Sequence, residues 1–152
     1  MKNKVIWLCV ILLSLVCVAS IGFLAMAQYD ADDLRLSVTI ESKSITGING
    51  GAVRHMTLGV RDTMQDDFVQ LAKNAPIWYV SDDKRAYVFF GSDPVESIVA
   101  KACDAHGNEQ DLPCAQNMID LPDASGEYTI GVWANKGRDS ALYAFRIHVI
   151  GD

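Results

Sequence analysis

The sequence predicts an all-β protein: a two-layer sandwich of about seven or eight strands with one short helix, preceded by an N-terminal hydrophobic helix. Three observations carry this. Residues 127–134 and 141–150 alternate, with Tyr128, Ile130, Val132 and Ala134 on one face of the first run. Tyr143, Phe145, Ile147 and Val149 share one face of the second, and Leu142, Ala144, Arg146 and His148 the other. Asn135 to Asp139, with a glycine among them, joins the runs at the length of a hairpin loop. Short runs of the same period recur upstream between turn residues, which is the spacing of a sandwich.

The leader comes first. Lys2 and Lys4 make a short positive region, and Val5 to Ala25 is almost wholly apolar. Ala25-Met26-Ala27 ahead of Gln28 is an A-x-A site of the kind signal peptidase cuts. The apolar run also exceeds the usual signal core and approaches the roughly 20 residues that span a bilayer. Residues 1–27 are therefore expected to be either a cleaved signal peptide or a retained membrane anchor. Both place residues 28–152 on the periplasmic or extracellular side, because the lysines hold the N-terminus inside. Residues 28–33, with Asp30, Asp32 and Asp33, read as an acidic tether, and residues 34–152 as one domain.

Without Lys2 and Lys4 the net charge of −6 becomes −8. Such a surface repels nucleic acid and anionic headgroups, so no nucleic-acid partner is expected. The exported part keeps two cysteines, Cys103 and Cys114. In an oxidising compartment an isolated pair predicts a disulfide, worth up to roughly 3 kcal/mol for a loop of about a dozen residues.

Leu34, Leu36, Val38 and Ile40 alternate with polar residues as a half-buried strand. Ile45 to Gly51 reads as turn chemistry. Residues 52–61 resume as one strand with Met56, Leu58 and Val60 on the apolar face. Thr63 with Asp66 resembles a capping box, and Met64, Phe68, Leu71, Ala72 and Ala75 recur at helical spacing up to Pro76. Ile77 to Val80 and Arg85 to Phe90 flank a polar turn and form an aromatic hairpin. Pro94 opens a strand over Val95 to Cys103, and a short strand lies near Gln116–Ile119.

Two patterns resemble the immunoglobulin-like domains of exported prokaryotic proteins. Ala102-Cys103-Asp104-Ala105-His106-Gly107-Asn108 is similar to their strand-then-turn segment, and Gly126-Glu127-Tyr128-Thr129-Ile130 to the start of their penultimate strand. The resemblance covers residues 97–150 and implies a tyrosine corner at Tyr128. Asp123 stands five residues before Tyr128 instead of the usual four, and Ile130 stands where an antibody domain carries cysteine. The resemblance implies a fold and no activity.

No G-x-S-x-G elbow places a serine nucleophile, and the paired aspartates 66–67 and 82–83 fall where turns and helix starts favour Asp. No enzymatic activity and no cofactor are expected. Asp104, Asn108 and Asp111 could offer oxygen ligands to calcium, although a solvated turn is the commoner outcome. His55 with Met56, Met64 or Met118 could offer soft ligands to copper, without the spacing of a copper protein. Arg146 and His148 form a stripe that could grip an anionic group.

The aromatics are the strongest lead. Trp78 and Tyr79 are consecutive on a strand, as are Phe89 and Phe90, so each pair splits between two faces. Trp133 likewise points away from the Tyr128 face. The outer rings are either covered or offered to a partner. The expectation is a non-catalytic exported interaction module, either an accessory subunit of a membrane or envelope complex or a cell-surface binding domain. Its candidate contact residues are Trp78, Tyr79, Phe89, Phe90, Trp133, Arg146 and His148, with membrane association through residues 5–27. The alternative is a small periplasmic metal-binding protein for copper or calcium.

Overall fold

The computed structural model describes residues 11, 13, 14, 16 and 17, 36–56, 59–90 and 93–151. The chain divides into two units, Met1–Asp33 and Leu34–Asp152. In the first, the described residues are helical and exposed, and the Ser14 hydroxyl donates to the Ile11 carbonyl at 2.8 Å. No helix among the described residues is long and apolar enough to cross a membrane. The cleavage site, the 28–33 tether and most of the apolar run lie outside the described residues.

The second unit carries thirteen strand segments among its described residues. They are β1 (Leu36–Ile40), β2 (Lys43–Ile45), β3 (Ile48–Met56), β4 (Gly59–Asp62), β5 (Ile77–Val80), β6 (Arg85–Phe90) and β7 (Asp93–Pro94). Then follow β8 (Ser97–Asp104), β9 (Glu109–Leu112), β10 (Cys114–Ala115), β11 (Met118–Asp120), β12 (Gly126–Lys136) and β13 (Asp139–Val149). One helix, α1 (Phe68–Leu71), separates β4 from β5. The first sheet runs β10-β11-β6-β1-β2, with β7 on β6; the second runs β4-β3-β13-β12-β8-β9, with β5 on β13. Every described pairing is antiparallel except β5 with β13.

The two sheets share one core. Val38 of β1, Ala86 and Val88 of β6 and Ile119 of β11 come from the first sheet; Ile130, Val132, Phe145, Ile147 and Val149 come from the second. Each of these side chains is essentially removed from water, worth roughly 1.5–3 kcal/mol for one of Val, Ile or Phe size. The alternation in β12 and β13 sets this, because a strand sends successive side chains to opposite faces. Their register pairs Ile130 with Phe145 and Val132 with Tyr143.

Two local expectations give way. Residues 52–61 are not one strand: the chain reverses between Met56 and Gly59, so β3 and β4 form a hairpin. Its second arm buries nothing, and Val60 is exposed. The glycines of residues 47–51 are not a free turn either, since Gly50 and Gly51 lie inside β3. A Cβ at Gly50 would sit 2.6 Å from Leu71 and 2.8 Å from Leu142, so this glycine lets the helix approach the sheet. Gly51 has φ +92° and its Cα faces the Thr63 carbonyl, which a side chain would strike.

Candidate functional site

The outer face of the second sheet, turned away from the core, divides into a covered half and an open half. The cover is α1. It spans Phe68–Leu71, shorter than the helical spacing of residues 63–75 predicts, and its cap is Asp67 rather than Thr63. The Asp67 carboxylate accepts from the Val69 and Gln70 amides at 2.9 and 3.0 Å, satisfying two donors that a helix start leaves open. Thr63 is instead held by β3, its amide donating to the Ala52 carbonyl at 3.0 Å.

α1 lays Phe68 and Ala72 over Leu142 and Ala144 of β13 and Cys103 of β8, a second buried cluster. Phe68 meets Trp133 edge-on, with ring centroids 5.7 Å apart and planes at 77°. Trp133 is therefore half-buried, packed against this cluster.

The open half is formed by β5 and the end of β13. The register places Tyr79 beside His148 and Ile77 beside Arg146. Tyr79 is 67% exposed, and its ring lies 5.5 Å from that of His148 at 50°. Ile150, next in the alternation 146–148–150, is 43% exposed. Its amide donates to the Val80 carbonyl at 2.9 Å, which ties it to β5. Arg146 rims the patch, donating to Glu127 at 3.2 Å and to the Lys73 carbonyl at 3.4 Å. The arrangement offers one aromatic ring, one imidazole and one aliphatic side chain with a tethered cation at the margin. That composition suits contact with another protein.

The structure thus joins Tyr79, His148 and Arg146 and separates them from the other candidates. Phe90 is 3% exposed and part of the main core, with Phe89 half-buried on the opposite side of β6. Trp78 is half-buried and packs against the core; its indole N–H is buried with no hydrogen-bond partner among the described residues. Ile150 was not among the candidate contacts, although the period of two over residues 141–150 already carried its side chain to this face.

The expected Cys103–Cys114 disulfide is corrected: both thiols are free. Cys103 lies on the outer face of β8, beneath α1, while its neighbours Ala100 and Ala102 face the core. Cys114 is in the first sheet, opposite Ile119. The Cys103 thiol rests 3.6 Å from the Asp104 carbonyl and that of Cys114 3.3 Å from the Leu112 carbonyl. Burial pushes the Cys103 thiol above its usual pKa, with the nearby acids Glu109 and Asp104 adding to the rise.

Asp104 is bonded within its own turn. Its carboxylate accepts from the Asn108 side chain at 2.8 Å and from the Asn108 and His106 amides at 2.9 and 2.8 Å. These bonds, the Asn108 side chain first, hold its pKa below the usual range. No group of three or more His, Cys, Asp or Glu side chains among the described residues is placed to hold a metal. At one end of the sandwich Asp82, Asp83, Asp111, Asp120 and Asp123 line a groove of about 840 Å³, where Lys84 donates to the Asp123 carbonyl at 3.0 Å.

Comparison with protein-family models, with curated proteins and with solved structures yields no match in any of the three.

Proposed function

We propose that residues 34–152 are an immunoglobulin-like interaction module of an exported protein, one that contacts a protein partner in a membrane or envelope complex. The contact surface in this reading is the open half of the outer sheet: Tyr79, His148 and Ile150, with Arg146 at the rim. It is a binding role, with no chemistry of its own. The observation that carries it is the exposure of Tyr79, 67%, on a strand at the margin of the sheet. Exposed tyrosines with an apolar neighbour are the residues on which interface energy concentrates.

Strand order supports the immunoglobulin-like part of the reading. β6 and β11 pair in one sheet, while β8, β12 and β13 are consecutive in the other. A parallel strand, β5, on the last strand and an extra strand, β9, on β8 accompany them. The Tyr128 hydroxyl donates to the Ala124 carbonyl, four residues back, at 3.1 Å, as a tyrosine corner does.

The test is co-purification from detergent-solubilised membranes with the full chain, wild type against Tyr79→Ser. A partner that the wild type retains and the variant loses, at unchanged folded stability, is the expected result. Equal recovery of every associated protein by both chains would remove the patch from the interface and this reading with it.

A further inference from the structure

Strand β5 has an open edge. Among the described strands it pairs only with β13, and in parallel. The Ile150 amide donates to the Val80 carbonyl at 2.9 Å, so Val80 turns its main-chain groups towards β13. The N–H and C=O of one strand residue leave on the same side, and successive residues alternate. Trp78 therefore faces β13 as Val80 does, while Ile77 and Tyr79 direct their amides and carbonyls away from the sheet. No backbone bond ties either of them to a turn or loop among the described residues. Tyr79 is also 67% exposed, which leaves the edge accessible.

Natural sheets blunt such edges with charge, proline or brevity, because an open edge is a template for another strand. The other outermost strands described here follow that rule. β2 carries Lys43, β4 Arg61 and Asp62, and β9 Glu109 and Asp111; β7 has Asp93 and Pro94, and β10 is two residues long. β5, Ile77-Trp78-Tyr79-Val80, carries neither charge nor proline. The strand is also self-complementary. Turned antiparallel on itself about Trp78, it sets Ile77 opposite Tyr79 on both sides of the axis, and each such pair exchanges both main-chain bonds across the open edge. A β-branched residue against an aromatic one is a favourable cross-strand pair.

We propose that β5 pairs with β5 of a second copy of this chain, antiparallel about a two-fold axis at Trp78. The contact is the same patch on both copies, and it joins their second sheets edge to edge. It uses the backbone of β5, whereas the partner contact proposed above uses side chains of the face, which stays open in the pair. Either can therefore fail alone. The overall charge of −6 makes two copies repel, and the joined edge is short, so the pair forms and dissociates with concentration.

The experiment uses the full chain in a fixed excess of nonionic maltoside micelles and follows amide hydrogen exchange from about 10 μM to about 1 mM chain. The Ile77 and Tyr79 amides should exchange at least ten-fold more slowly in the concentrated sample. Those of Trp78 and Val80, which face β13, should be slow throughout. Tyr79→Pro removes an outward amide that the β13 ladder does not use, a change that an edge strand accepts. It should return the Ile77 amide to its dilute rate. Tyr79→Lys keeps the amide but places a charge at the edge, should have the same effect, and keeps the test open if proline disturbs the fold; backbone spectra show whether it does. Fast exchange of both amides at every concentration, or slowing that survives both variants, overturns the proposal. Slow exchange at every concentration would put a segment of the same chain on the edge, and slowing of the dilute chain only when a co-purified protein is added would make that protein the occupant. Either result overturns the second copy, and the last would leave the partner reading standing.

Discussion

The ring of Phe68 rests on Gly131. A Cβ placed on that glycine would lie 2.6 Å from Phe68 Cγ, closer than real side chains approach. The absence of a side chain at one position of β12 therefore decides whether α1 can cover the outer sheet. Gly131→Ala should lift the helix and cost about 1–3 kcal/mol, the usual penalty of overpacking. Denaturant unfolding measures the loss, and the Trp133 emission should move towards that of a water-exposed indole. An unchanged midpoint and an unchanged spectrum would mean that the helix docks without this contact.

Tyr79 and Phe90 separate the surface from the core. Tyr79→Ser should cost less than about 1 kcal/mol, as exposed sites do. Phe90→Ala should cost about 3–5 kcal/mol, because it empties a buried position between the sheets. Equilibrium unfolding of the two variants decides this, and a comparable loss in both would place Tyr79 in the packing of the fold.

The cysteines should differ in reactivity. Thiolate is the reacting form, and burial raises the pKa of both thiols, so access decides: α1 covers Cys103, while Cys114 is exposed. Peptide-level mass spectrometry after brief alkylation of the native chain should show Cys114 modified well before Cys103. Unfolding should abolish the difference. A linked Cys103–Cys114 peptide in unreduced protein would contradict the free thiols of the structure.

Glu41 ties the β1–β2 turn to the end of β5. Its carboxylate accepts from the Ser81 amide at 2.7 Å, the Asp82 amide at 2.9 Å and the Ser81 hydroxyl at 3.3 Å. The Ser81 amide is the largest cause of a pKa held below the usual carboxylate value. A depressed folded-state pKa contributes stability that is complete above the unfolded value, about 4.3 for Glu. That contribution is lost as pH falls through the folded value. Glu41→Gln should therefore flatten the acid side of the stability–pH curve below about pH 5 and leave the shape near neutrality unchanged. Thermal unfolding at a series of pH values reads it; parallel curves for both chains would discount the Glu41 bonds.

What the sequence made legible was what period two encodes. The faces of β12 and β13 came out as the alternation predicted, including Leu142 and Ala144 on the outer side. Periodicity does not encode proximity between segments far apart in the chain, and there the sequence was silent. Nothing in residues 45–51 announces that Gly50 must admit Leu71 and Leu142, so its glycines looked like an ordinary turn. Asp67 displaced Thr63 as the cap because Thr63 is held by Ala52, eleven residues earlier. The cysteines misled for a related reason: spacing says how long a loop they would close, and only the pleat says that Cys103 turns away from the core. Of the candidate contacts, consecutive aromatics correctly required one outer ring. Which ring stays uncovered depends on the reach of α1, and Trp133 lies within it while Tyr79 does not.

β13 touches three strands: its hairpin partner β12 and the much earlier β3 by antiparallel pairing, and the earlier β5 by parallel pairing. The β5 contact joins Ile77 to Arg146 across most of the domain's length. Pairings this distant in sequence close late, because loop entropy is lost before any contact compensates it, and chains rich in them fold in milliseconds to seconds. Until β13 has left the ribosome, β3, β5 and β12 have no common neighbour to join them in one sheet. A chain lacking this strand thus keeps β3, β5 and β12 unjoined, with their apolar faces accessible to a holding chaperone.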